Sequence, residues 1–175
     1  MNCIIKFINF LYNQILVKTL LLFSFIFISC SPSLTVLKLN PEFAESTYRY
    51  IAEKSEKSIV NSPKDDKKLL KACETLTKFS FGFTMEEADR TVMLDYKKGK
   101  ILYKKAHDKF VRAVDYGERA LTVKFGNYSN WIEGKTSKTP KFTSSDLSYL
   151  FWTAGAYGGA IKSSQGNPEW IVKLP

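Results

Sequence analysis

The sequence predicts an all-α protein built from antiparallel helix pairs, and three observations carry that reading. Proline-led start signals recur, at Asn40-Pro41, Ser62-Pro63 and Asn167-Pro168. Between them, apolar and small residues fall three and four positions apart, the spacing that puts them on one face of a helix. No segment alternates apolar and polar residues as a half-buried strand would; the hint from Leu121 to Phe125 reads better as a helix end entering a loop.

Each element can be justified in turn. Asn40 is a candidate N-cap with Pro41 at the first helical position, and Glu42 and Glu45 suit the positive end of the dipole, giving a helix near 41–57. Ser62-Pro63 repeats the device with Asp65 and Asp66 in the first turn of a helix near 64–82, whose seam runs Leu69, Cys73, Leu76, Ser80, Phe83. Thr84 to Glu87 has the form of a capping box and opens a short helix near 84–94. The longest helix, near 96–122, places Gly99, Tyr103, Ala106, Phe110, Ala113, Gly117 and Ala120 on one stripe. A polar loop covers 126–143. Thr143 to Asp146 is a weaker capping box before a helix near 145–164, whose seam is expected to run Leu147, Phe151, Ala154, Gly158, Ile161. Gly166 suits the position just past a helix end, and Asn167-Pro168-Glu169 starts again.

Small residues on these seams let helix backbones approach closely, with Phe110 or Phe151 filling the hole opposite. Ala106, Phe110 and Ala113 match the second-helix spacing of a tetratricopeptide (TPR) repeat, and Phe151, Ala154, Gly155 and Gly158 loosely match the first. No period of about 34 residues repeats. The expectation is TPR-like pairing in a small helical bundle or solenoid.

A chain of 175 residues allows one domain, and 45% hydrophobic with 14% aromatic content excludes whole-chain disorder. Residues 1–29 stand apart from that domain. Lys18 precedes an apolar run from Leu20 to Ile28, followed by Ser29 and Cys30. This is a secretory signal whose apolar stretch is short for a membrane span. An uncleaved anchor helix is the other reading, and both put the domain at a membrane, outside the cytoplasm. Residues 30–40 then form a tether, and 41–175 the helical domain.

The formal charge of +9 falls by two if the signal, with Lys6 and Lys18, is removed. The remaining lysines are interleaved with acids, as in "DYKKGKILYKKAHDK", so no nucleic-acid partner is indicated. Cys3 lies in the signal and Cys30 at its end, which leaves Cys73 alone on an apolar seam as a small buried hydrophobe.

Candidate chemistry is sparse. His107 is the single histidine, beside Asp108, and is expected on the solvated face opposite the small-residue stripe. Glu86 to Asp89 could be imagined as a carboxylate cluster, but capping and the dipole account for the acids. No nucleophile–base pair or metal-ligand set emerges, so neither an enzyme nor a cofactor or metal is expected. The aromatics are the better candidates for binding: Phe81, Phe83, Phe151, Trp152 and Tyr157 either pack in the core or line a groove for an apolar ligand or partner segment.

Two motifs carry a resemblance. Phe27-Ile28-Ser29-Cys30 resembles the lipobox of bacterial lipoproteins, with Phe27 where Leu is usual. "YLFWTAGAYGGAIKSSQGNPEWIVKLP" and, upstream, "FGFTMEEADR" with the long helix after it resemble the T component of TRAP (tripartite ATP-independent periplasmic) transporters, the TatT-like lipoproteins, over roughly 67–175. The resemblance implies a non-catalytic TPR-like protein of the bacterial cell envelope, on the periplasmic side or outer surface. It would be lipid-anchored through Cys30 and would bind the substrate-capturing P component. It also implies a homo-oligomer, trimeric in relatives, and a small apolar or organic-acid ligand. Relatives continue with further helix pairs beyond the Leu-Pro, so a C-terminally truncated copy is expected. A truncated or repurposed surface lipoprotein acting as a protein-interaction module is the alternative.

Overall fold

A computed structural model describes residues 40–172, together with the lone Lys18. Apart from Lys18, the expected signal peptide (residues 1–29) lies outside the described residues, as do Cys30 and all of the expected tether but Asn40. Within them the chain is helical, with no strand. The elements are α1 (Pro41–Val60), α2 (Asp66–Phe79), a π-helical turn (Ser80–Met85), α3 (Glu86–Val92), α4 (Tyr96–Phe125), α5 (Tyr128–Ile132), a 3-10 turn (Ser144–Asp146), α6 (Leu147–Ser163) and α7 (Pro168–Val172).

The start of α1 follows the expected cap: Asn40 Oδ1 accepts the Phe43 N–H at 3.0 Å. Helix α2 starts two residues later than expected. Asp65 is extended and caps it from outside, accepting the Lys68 N–H at 3.0 Å. Thr84 to Glu87 caps nothing, because the chain runs through it without a break from α2 into α3. The join is the π-helical turn, where the Ser80 hydroxyl donates back to the Leu76 carbonyl at 2.7 Å. Thr143 to Asp146, the weaker-looking motif, is a capping box: Asp146 Oδ2 accepts from Thr143 N at 2.9 Å and from Thr143 Oγ1 at 2.7 Å.

Helix α4 is the spine of residues 45–172. Its 30 residues extend about 45 Å. Asp95 caps its start by accepting the Lys98 N–H, and Gly126, at φ 62°, ends it with its N–H on Thr122 O. The predicted stripe is the buried one: Gly99, Ala106, Phe110, Ala113, Gly117 and Ala120 all face inward, with Tyr103 at the edge. A β-carbon at Gly117 would collide with the Thr153 side chain, and one at Gly99 with the Val92 backbone, so these crossings require glycine.

Helix α6 packs along that stripe on a different face from the one predicted. Tyr149, Thr153, Ala156, Gly159, Ala160 and Ser163 are buried. Leu147, Phe151, Ala154 and Gly158 are exposed, and Ile161 is intermediate. The stretch 126–143 is also not a simple polar loop. It carries α5 and, with Phe142 stacked edge-on against Phe125 (4.8 Å) and Trp131 (6.0 Å), joins a second core cluster of Ile59, Leu69, Ala120, Leu121, Tyr128 and Tyr149. The first cluster is centred on fully buried Phe110, with Cys73, Leu76, Met85 and Ala156.

Candidate functional site

Two surface features of residues 45–172 that involve α6 can hold something. The larger is an open groove of about 930 Å³. Val111, Val114 and Thr122 of α4 are part of its lining, α5 contributes Tyr128 and Ile132, and α7 contributes Trp170. Tyr157 is the one residue of α6 that enters it. Its hydroxyl donates to Glu118 Oε1, and burial together with that carboxylate pushes the Tyr157 phenol well above its ordinary range. Burial and the same carboxylate raise Tyr128. Two neutral phenols thus sit near one carboxylate in a mainly apolar trough. Arg119, also in the lining, is paired with Asp115 at 3.0 Å. Such a trough suits an elongated apolar body with one hydrogen-bonding end.

The second feature is the outer face of α6. Leu147 is 65% and Phe151 61% exposed, with Ala154 and Gly158 continuing the face as small open positions. Phe151 stacks edge-on against Trp152 at 4.9 Å, and the Lys78 ammonium lies 4.7 Å from the Trp152 ring centroid. Large aromatics held in place beside small residues are what a partner's side chains can fill.

The five aromatics predicted for binding therefore do not form one site. Phe151 lies on the outer face of α6, whereas half-buried Trp152 beside it packs against the first core cluster. Phe81, 39% exposed, leans edge-on against Phe110 at 4.6 Å. Phe83 is half-buried between Tyr48 (5.5 Å) and Phe79 (5.7 Å), a packing role. Tyr157 belongs to the groove. Sequence reasoning missed Glu118, Tyr128 and Trp170; the only available sign was aromatics recurring inside a stretch dominated by polar residues.

Other singled-out residues have structural partners. His107 is half-buried, not solvated: its Nδ1 donates to the Ala160 carbonyl at 3.0 Å, with Ser163 Oγ at 3.2 Å and Trp170 edge-on at 5.1 Å. Glu86 pairs with Arg90. Asp89 accepts from Tyr103 (2.6 Å) and Lys162 (2.8 Å). Burial alone would raise its pKa, but those bonds outweigh it and hold the carboxyl below its usual value. Burial pushes the Cys73 thiol up to about 12, so it stays protonated and unreactive at neutral pH.

A family model described as TRAP transporter T-component matches residues 54–175, which includes every residue of the groove and of the outer face of α6. No curated protein matches the chain, and no solved structure does.

Proposed function

The chain belongs to the TRAP transporter T-component family, and on that premise we propose that it acts by binding, docking the substrate-capturing P component on the outer face of α6. The family gives the coarser statement directly: an accessory role in TRAP transport, at the cell envelope, in a family not known for enzymatic activity. The finer reading rests mainly on one observation, the exposure of Phe151 and Leu147 on a helix whose opposite face is packed tightly. Apolar side chains of that size, aligned on one rigid helix within the matched region, favour a protein partner over solvent.

In this reading the α4 groove takes a small apolar or organic-acid ligand, with Tyr157 and Glu118 at its polar end. Cys30 carries the lipid anchor after removal of residues 1–29, residues 30–40 form the tether, and 41–175 form the helical domain. Copies of the chain assemble as a homo-oligomer.

The test is calorimetric titration of a TRAP P component against the protein. Phe151→Ala should weaken binding by about thirtyfold, the loss of a 2 kcal/mol anchor. Met93→Ala, at an exposed apolar residue away from α6, should change it little. Absence of binding by the wild-type chain would overturn the reading and leave the interaction-module alternative. Equal loss in both variants would move the docking surface elsewhere.

A further inference from the structure

A second, smaller cavity of about 260 Å³ lies between α1, α2 and α4, and three basic side chains meet in its lining. Arg49 comes from α1, and Lys109 and Arg112 come from α4. Phe79 of α2 lies among them, with the Arg49 guanidinium 5.9 Å and the Lys109 ammonium 5.7 Å from its ring centroid. Two carboxylates share the lining, Glu53 and Glu56. Glu56 Oε1 is already engaged, accepting from Arg112 Nε and from the Tyr116 hydroxyl, each at 3.0 Å. Arg49 is paired with Glu45, which is not in the lining.

Lys109 is the exception. Among the described residues its ammonium has no hydrogen bond and no carboxylate within ion-pair distance, although the residue is half-buried. Burial, reinforced by Arg112, Lys105 and Arg49, holds its pKa below the usual lysine value. An ammonium that no carboxylate pairs, set beside two guanidinium groups, is relieved by an anion that reaches all three. The cavity is smaller than the roughly 300–1,000 Å³ of sites for drug-sized ligands, which favours a compact ion.

We propose that this cavity binds a phosphate-type oxyanion, with Lys109 as its central contact and Arg49 and Arg112 at its rim. Several oxygens on one centre can meet an ammonium and two guanidinium groups together, which a single halide cannot. The same group can come as free phosphate or as the phosphoester of a lipid headgroup. The site is separate from the groove and from the outer face of α6, and does not depend on the docking reading.

The experiment is titration of the full-length chain in non-ionic detergent with inorganic phosphate, in about 0.1 M chloride so that loose surface attraction is screened. Saturable binding is expected, weakened about tenfold or more by Lys109→Met and by Lys109→Gln, which keeps a polar end without charge. Lys97→Met removes the same charge from an exposed position three turns away on α4 and should leave the affinity unchanged within about twofold. Glycerol phosphate competing as well as phosphate would assign the headgroup as the source; failure to compete would assign the free ion. No saturable binding by the wild-type chain, or equal weakening by Lys97→Met and Lys109→Met, would overturn the proposal. Lys109 would then be a side chain whose stem covers apolar surface while its charge reaches water.

Discussion

Gly158 and Gly159 are neighbours on α6 and do opposite things. A β-carbon at Gly159 would strike the ring of fully buried Phe110, whereas one at Gly158 would meet nothing within 4 Å. The first glycine is a close-packing device between helices. The second is an open spot on a face that carries Phe151 and Leu147 into solvent. One helix therefore has a closed side that holds the fold and an open side free to bind, and composition alone does not tell them apart.

Substitutions can sharpen that contrast. Phe110→Ala leaves a hole at the centre of the closed side and should cost about 3–5 kcal/mol by urea denaturation; a cost below about 1 kcal/mol would show the seam is loosely packed. Gly159→Ala should cost about 1–3 kcal/mol through overpacking against that ring. Gly158→Ala should instead stabilise the chain by roughly 0.5–1 kcal/mol, since alanine restricts the unfolded chain and favours helix. If these two adjacent substitutions have the same sign, the assignment of faces is wrong.

The ion pair from Lys162 of α6 to Asp89 gives a smaller, pH-dependent effect. Its folded pKa is lowered, so its contribution is present above the unfolded value of about 3.9 and is lost as pH falls through the folded value. Asp89→Asn should destabilise by less than about 1 kcal/mol near neutral pH, with the difference from wild type vanishing under acid conditions. A difference that grows in acid would contradict the sign. Phe151→Ala should change stability by no more than about 0.5 kcal/mol, measured in the same denaturation series.

The stripe on α4 was legible because its small and apolar residues recur three and four positions apart through a helix rich in lysines and acids. On α6 the same rule failed. Leu147, Phe151, Ala154, Gly158 and Ile161 satisfy helical spacing, but so do the buried Tyr149, Thr153, Ala156, Ala160 and Ser163, and a helix apolar nearly all round has no phase to read. Thr153 and Ser163 look like solvent-facing residues. Each is buried without penalty because its hydroxyl bonds the carbonyl four residues back, at 2.7 Å. His107 was misread for a related reason: its partner is the Ala160 carbonyl, 53 positions away, and no local pattern marks a carbonyl as an acceptor.

The groove was the least legible feature. Tyr157, Glu118, Tyr128 and Trp170 come from four separate helices, and only the packing of α5 and α7 beside α4 brings them together. The small cavity was hidden in the same way, since Arg49 and Lys109 are far apart in sequence and meet only around the Phe79 ring.

The central claim is that the open side of α6 is the docking surface, and hydroxyl-radical footprinting of the full-length chain with and without the P component tests it most directly. The account predicts that Leu147 and Phe151 are oxidised in the free chain and protected in the complex, while Met93 and Leu94 stay equally reactive in both. Formation of the complex with Phe151 and Leu147 as reactive as before would contradict it.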